Sequence, residues 1–287
     1  LQLRANAKIN SYLDVLARRE DGYHEIRTVF HEIDLCDTLR FTLTDNNDIQ
    51  IFANVKTLQN QDNLICRISR YIQESYNVQA GVSVELEKAI PVAAGLGGGS
   101  SNAAATICAL NDLWELDLSK EEMHDIAARF GSDINFFLLG GCAAGYGRGE
   151  RLEPLPDRLI EHIVLVNPGF GVSSGEAYGA VEHRGATANW AAHLGSADAH
   201  LAYNALQAGV CSRYPVIAGL MEDLRVGGAQ PLLSGSGPTV IGFCQDDTTA
   251  ATLAEEFRRR GLWSVVTRAV PRRGRGCNAA PNRTYGA

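Results

Sequence analysis

No run in this chain approaches eighteen consecutive apolar residues, so no transmembrane helix is expected. The opening residues, LQLRANAKIN, lack the apolar segment of a secretory leader. A cytoplasmic protein with no membrane partner is the expectation. The seven cysteines are odd in number, widely spaced and without a C-x-x-C pair. That argues against a zinc site or a disulfide framework, and most read as buried thiols acting as small apolar side chains. Basic residues are outnumbered, 26 Lys and Arg against 33 Asp and Glu. A net charge of −7 argues against nucleic acid as a partner. The basic end, PRRGRGCNAAPNRTYGA, reads as a mobile tail. Fixed-period repeats and long low-complexity linkers are also lacking.

What is present is ordinary globular composition: 287 residues, 45% hydrophobic and 21% charged. That length suits one large domain or two ordinary ones. The first half reads as strands from Leu3 to about Ala17 and from about Ile26 to Leu35, with an Asp-Gly turn in RREDG between them. IQIFANV (49–55) and VSVELE, with its period-two alternation, extend the sheet. A helix capped by Asp62 should carry Leu64, Ile65, Ile68, Tyr71 and Ile72 on one face. Another starts near Ser101, with Ala103, Ile107, Leu110 and Trp114 as its stripe. Ser119 and Glu122 form a capping box for a third. LEPLPDRL marks a boundary near residue 155. Beyond it come a strand, helices around 174–183 and 197–223, a strand–turn–strand in PLLSGSGPTVIGFCQ, a helix capped at Asp246 or Asp247, and a last strand. The fold class is α+β in two parts, 1–155 and 156–287.

PVAAGLGGGSSNAAA (91–105) places four glycines within five residues between a strand and a helix. Such a turn presents unpaired backbone N–H groups and the positive end of a helix dipole to an anion. Ser100 and Ser101 add hydroxyl donors. The spelling lacks the lysine of a Walker A loop and the third glycine of a dinucleotide fingerprint. The alternative is a glycine turn that merely lets a helix pack closely.

Other stretches leave two readings each. Asn6, Lys8 and Asn10 would share one face of the first strand, opposite Ala5, Ala7 and Ile9, as an exposed edge or as the lining of a site. Asp133 in GSDINFFLLGG is an N-cap or a general base. Tyr23 and His24, beside a turn, are a surface pair or a platform for a planar ring. LLSGSGPTV (232–240) and GYGRGE (145–150) are further glycine turns. Three such loops suggest a site built from backbone turns around a phosphorylated ligand.

Together these motifs resemble the GHMP kinases, the superfamily of galactokinase, homoserine kinase, mevalonate kinase and phosphomevalonate kinase. AKINSYLDVLARREDGYHEIRTVF (7–30), GLGGGSSNAAA, GSDINFFLLGGCAAGYGRGE and LLSGSGPTVIGF carry the resemblance. GYHE and GRGE resemble the branch of the superfamily that acts on a cytidine diphosphate-linked polyol in non-mevalonate isoprenoid precursor biosynthesis. The resemblance implies an N-terminal nucleotide-binding α+β domain and a C-terminal ferredoxin-like α+β domain. It implies transfer of the γ-phosphoryl group of ATP, with Mg²⁺, to the 2-hydroxyl of the methylerythritol part of that small-molecule substrate. Lys8 and Asp133 match the catalytic pair. Pro91, Val92, Ala93, Ala94, Gly95, Leu96, Gly97, Gly98, Gly99, Ser100 and Ser101 match the ATP loop. Asn10, Tyr23, His24 and Tyr178 match substrate contacts. No Mg²⁺ ligand is assigned beyond Ser101 as a weak candidate, and a monomer or weak homodimer is expected. Asn135 stands where the family usually has proline. NALQ (204–207) stands where it usually has N-D-x-E, which puts the role of those acidic positions in doubt. The alternatives are another GHMP small-molecule kinase, a non-catalytic nucleotide-binding homologue, or an RNA-associated protein sharing the N-terminal fold.

Overall fold

The structure, a computed structural model, describes residues 1–181, 190–195 and 201–272. Most of the basic end falls outside these residues. Among them, β1 (Gln2–Arg18) and β2 (His24–Thr44) form a long antiparallel pair around Asp21-Gly22. Gly22 takes a positive φ of 84°, which a side chain would resist. β3 (Ile49–Ala53), β4 (Gly81–Glu87), β5 (Cys142–Gly147) and β6 (Arg151–Pro154) complete most of a seven-stranded sheet. The far half of β2 pairs with β4 and its near half with β5, while β1 runs along its other edge. β1 is not an edge, because a two-residue strand, β8 (Tyr203–Asn204), pairs parallel to it at Tyr12 and Leu13.

One face of this sheet is covered by α1 (Leu64–Ser75), α2 (Gly98–Leu113), α3 (Lys120–Phe130) and α4 (Ile134–Leu139). The cap of α1 is Asn63, not Asp62: its side-chain oxygen accepts from Ile65 N at 3.0 Å. Both hydrogen bonds of the Ser119–Glu122 capping box are present. α2 begins three residues before Ser101, so Gly98 and Gly99 are already helical.

The second sheet holds β7 (Ile163–Asn167), β9 (Gln230–Leu233), β10 (Val240–Phe243) and β11 (Trp263–Thr267) in the antiparallel order β11-β7-β10-β9. With α5 (Ser174–Gly179), α6 (Trp190–Gly195), α7 (Gln207–Arg213), α8 (Pro215–Val226) and α9 (Asp247–Arg259), the order along the chain is strand, helices, two strands, helix, strand. This is the ferredoxin-like arrangement. The single helix expected over 197–223 is instead β8, α7 and α8 where described. The break falls at Tyr214-Pro215: proline lacks the N–H an uninterrupted helix needs and pushes the preceding residue out of the helical region. Residues 196–200 lie outside the described set.

The two sheets meet over β1. Leu3 and Ala5 pack in the helical core, but Ala7 and Ile9 pack with Ile163, Leu165, Leu232 and Ile241 of the second sheet. A register shift between Asn6 and Ala7 causes the reversal. An irregularity of this kind re-aims every side chain after it. Simple alternation over residues 5–10 therefore fails, and Lys8 and Asn10 are turned toward α2 and α4. They are 5% and 3% exposed, so the exposed-edge reading of this strand is excluded.

Five cysteines, Cys36, Cys66, Cys142, Cys211 and Cys244, are free thiols. Of these, Cys66 and Cys142 are buried and the others half-buried. No helix among the described residues is long and apolar enough to cross a membrane.

Candidate active site

A cleft of about 1250 Å³ runs between the two sheets and draws its walls from both halves of the chain. Six positions predicted for the site outside the glycine loop line it: Lys8, Asn10, Tyr23, His24, Asp133 and Tyr178; Asn6, on the same predicted face as Lys8, does not. From the loop, Pro91 to Gly95 and Gly97 to Ser100 line the cleft, whereas Leu96 and Ser101 are buried behind it.

The glycines of the loop answer to different neighbours. Gly95 and Gly97 have φ of 76° and 70°, in the region that favours glycine. A Cβ at Gly95 would lie 2.1 Å from the Ser234 carbonyl oxygen of the second glycine turn. At Gly97 it would meet the Phe137 ring at 2.8 Å and Lys8 Cγ at 3.0 Å, and at Gly98 it would meet Lys88 Nζ at 2.8 Å. Gly99 differs: it is helical, exposed, and a Cβ there would have nothing within 4 Å. Three glycines are thus required by protein packing, and only Gly99 is left without a protein reason. The first turn of α2 opens into the cleft with no side-chain cap from Gly97. Its N–H groups are those an anion would satisfy.

Lys8 is held from several sides. Its backbone N–H donates to Leu96 O at 3.0 Å, tying β1 to the loop. Its ammonium donates to Asn10 Oδ1 at 2.7 Å and lies 5.6 Å over the Phe30 ring. Asn10 Nδ2 donates to Thr28 Oγ1, and Thr28 donates to Tyr12 O, each at 2.7 Å. This chain leaves Lys8 few alternative positions. Asp133 occupies the N-cap position of α4 but makes no capping hydrogen bond. Its carboxylate, about one-third exposed, faces Lys8 Nζ at 3.6 Å. Of the two readings of Asp133, the capping one fails on this geometry.

At the other end, the His24 and Tyr178 rings stack at 5.2 Å with an interplanar angle of 21°. Tyr23 stands on the Asp21 turn, 55% exposed, with the Arg148 guanidinium 4.8 Å over its ring. Burial pushes the Tyr178 phenol well above its usual range, and the negative charge of Asp133 adds to that. The ring therefore stays neutral as a stacking surface.

The wall formed by Leu58, Asn60, Asp62, Asn63, Leu64, Leu86 and Lys88 was not legible as part of a site. Its only signal is polar turn chemistry in TLQNQDN between a strand and a helix. Lys88 is buried against Asp37 at 2.7 Å, and Asp37 also accepts from Ala89 N and Ile90 N at 2.8 Å each. Thr28 and Phe30 were likewise missed as supports.

Residues 63–141 match the family model of the GHMP kinases N terminal domain, and 189–261 that of the GHMP kinases C terminal. Both halves of the cleft thus come from a GHMP kinase. A curated protein of Pelotomaculum thermopropionicum named 4-diphosphocytidyl-2-C-methyl-D-erythritol kinase is 39% identical over 92% of this chain and 96% of its own. A crystal structure of 4-(cytidine 5'-diphospho)-2C-methyl-D-erythritol kinase superposes with a TM-score of 0.82 at 31% identity, covering 94% of this chain and all of that one. Homoserine kinase from Cytophaga hutchinsonii shares the fold, with a TM-score of 0.69 at 15% identity over 95% of each chain. The chain belongs to the 4-diphosphocytidyl-2-C-methyl-D-erythritol kinase family.

Proposed function

We propose that this kinase transfers the γ-phosphoryl group of ATP to the 2-hydroxyl of 4-diphosphocytidyl-2-C-methyl-D-erythritol, in the non-mevalonate route to isoprenoid precursors. The observation that carries the reading is the spacing of functions along one cleft: an anion-binding helix start, a Lys–Asp pair beside it, and a ring platform beyond. The β- and γ-phosphates lie against the N–H groups of residues 97–100. The nucleoside of ATP lies along the wall of Leu58, Leu64, Leu86 and Lys88. The cytosine lies at Tyr23, His24 and Tyr178, and Asn10 contacts the substrate near the reacting end.

Phosphoryl transfer asks for positioning and charge stabilisation more than for covalent help from the protein. The acceptor hydroxyl sits between Asp133 and the γ-phosphate. Its oxygen forms the new O–P bond as the bond to the β-phosphate oxygen breaks, and ADP leaves. Asp133 accepts the hydroxyl proton late in the step, because an aspartate is too weak a base to ionise an alcohol beforehand. Lys8 keeps the carboxylate in place and stabilises charge on the moving phosphoryl group.

The reaction also implies Mg²⁺. No cluster of three or more His, Cys, Asp or Glu side chains that could hold a metal ion occurs among the described residues. Mg²⁺ is commonly held by phosphates, water and one or two carboxylates, so an ion carried in by the nucleotide needs no protein cage. Asp133 is the carboxylate beside the transfer point, with Ser101 behind the loop as a further oxygen. The ion would supply neutralisation of the phosphate charge.

The test is substrate choice. CMP and the cytidine diphosphate-linked polyol should bind, and binding should fall in Tyr23→Ala and His24→Ala. Turnover of homoserine or mevalonate in their place would favour another kinase of the superfamily.

A further inference from the structure

We infer that Asn204 is a positioning residue for the phosphate-transfer end of the site, although it lies outside the cleft lining. The inference rests on the proposed placement of ATP phosphates at the glycine loop. Asn204 is buried, 6% exposed, on β8, whose pairing with β1 aligns it with Leu13. The backbone seam continues with Ala205 N donating to Leu13 O at 2.8 Å. The strand that carries Lys8 and Asn10 is thus fixed to the strand that carries Asn204.

Its side chain makes three hydrogen bonds, all to backbone groups. Asn204 Nδ2 donates to Leu233 O and to Gly235 O, both at 2.8 Å. Oδ1 accepts from Leu206 N at 2.9 Å. Two carbonyl acceptors and one N–H donor define the amide orientation without ambiguity. Gln207, one residue into α7, adds a third tie by accepting from Leu233 N at 3.1 Å through Oε1.

The turn held this way is wedged into the reacting end. Ser234 Oγ donates to Gly95 O at 3.1 Å, and the Ser234 carbonyl packs directly on Gly95. A Cβ at Gly235 would lie 3.3 Å from Lys8 Nζ, 3.4 Å from Asn10 Oδ1 and 3.2 Å from Gly95 O. The turn therefore backs the phosphate loop and Lys8 at once. Asn204 is what sets its distance from β1. Displacement of about 1 Å at a phosphoryl-transfer site costs on the order of 100-fold in rate.

Position 207 clarifies an acidic residue that the sequence lacks. The tie to Leu233 N needs an acceptor, not a charge, and the Gln207 amide oxygen supplies it.

The deciding variant is Asn204→Asp, which keeps the shape and the acceptor but removes both donors. ATP affinity is measured by titration without acceptor, alongside CDP affinity and thermal unfolding. The expected result is about tenfold weaker ATP binding with CDP binding unchanged, and a kcat lowered by about 10- to 100-fold. A general structural defect would instead lower the active fraction for both ligands and leave the ATP dissociation constant alone. ATP and CDP constants both within twofold of wild type would overturn the inference, as would parallel loss of both. If Asn204→Asp does not fold, Ser234→Ala carries the test, because it cuts the turn from Gly95 without orphaning a buried donor. It should weaken ATP about threefold, and an unchanged value overturns the inference. Failure of the wild type to phosphorylate the cytidine substrate would count against the proposed function, whereas the ATP titration decides the role of Asn204 separately.

Discussion

Gly99→Ala separates a glycine kept for the fold from one kept for a ligand. The residue is helical and a Cβ would meet no protein atom within 4 Å. Alanine exceeds glycine in helix propensity by about 1 kcal/mol in a helix interior. At the first turn some fraction of that should appear as added stability, read as a higher denaturant midpoint with unchanged slope. ATP should respond in the opposite sense. A methyl group on the surface where phosphate oxygens approach the backbone forces the phosphates outward. Weakening of ATP binding by about 10- to 100-fold, about 1.4 to 2.8 kcal/mol, is expected. Gly95→Ala is the contrasting variant. Its Cβ would lie 2.1 Å from the Ser234 carbonyl at a φ of 76°, so it should unfold more easily whether ATP is present or not. The measurement is denaturant unfolding paired with calorimetric ATP titration. A Gly99→Ala protein that is as stable as the parent and binds ATP within twofold would refute phosphate contact at this turn.

Asp133→Asn should lower kcat by at least about 100-fold while ATP still binds, because the carboxylate is not tied up as a cap. Lys8→Met should do the same, and a normal kcat in either variant contradicts the Lys8–Asp133 pair. Lys88→Met should cost about 3 to 5 kcal/mol in denaturant unfolding, since Asp37, fully buried, would lose its cation. Burial lowers the Lys88 pKa even with Asp37 beside it, so the pair carries a real desolvation cost. Acid sensitivity should come from His31 and His193, whose Nε2 atoms both meet Ser11 Oγ, at 2.7 and 2.9 Å. Burial, with the Arg158 charge, lowers them to about 3 and about 4. Stability from these neutral rings is complete above the ordinary histidine pKa of about 6.5 and falls as pH drops toward those values. The expected slope is about 1.4 kcal/mol per pH unit for each ring, and a His31→Gln, His193→Gln protein should show a flatter profile between pH 6 and 4.

The chemistry-bearing residues were legible because their local spelling is distinctive: a glycine cluster ahead of a helix, an aspartate ahead of an apolar run, Tyr-His beside Asp-Gly. What the sequence did not carry was placement. Strict alternation put Ala5 and Ala7 on one face of β1, but the shift after Asn6 sends them into opposite cores. That shift depends on pairing with a strand about thirty residues away, so no window of β1 alone could reveal it. The same holds for β8, whose two residues have meaning only beside β1 and the 233–235 turn. The helix expected over 197–223 misread apolar spacing that serves two shorter helices around Pro215. Of the four clustered glycines, only Gly99 has no protein neighbour that a side chain would meet, a distinction that required the neighbours of each.

The central claim is transfer of a phosphoryl group to one hydroxyl of a cytidine-linked polyol. It is tested most directly by following ADP release with 4-diphosphocytidyl-2-C-methyl-D-erythritol and locating the new phosphate by phosphorus NMR. The account predicts ADP release matched one to one by a phosphomonoester on the 2-hydroxyl, and none with Asp133→Asn. ADP release with mevalonate or homoserine but not with this acceptor, or phosphate on a different oxygen, would contradict it.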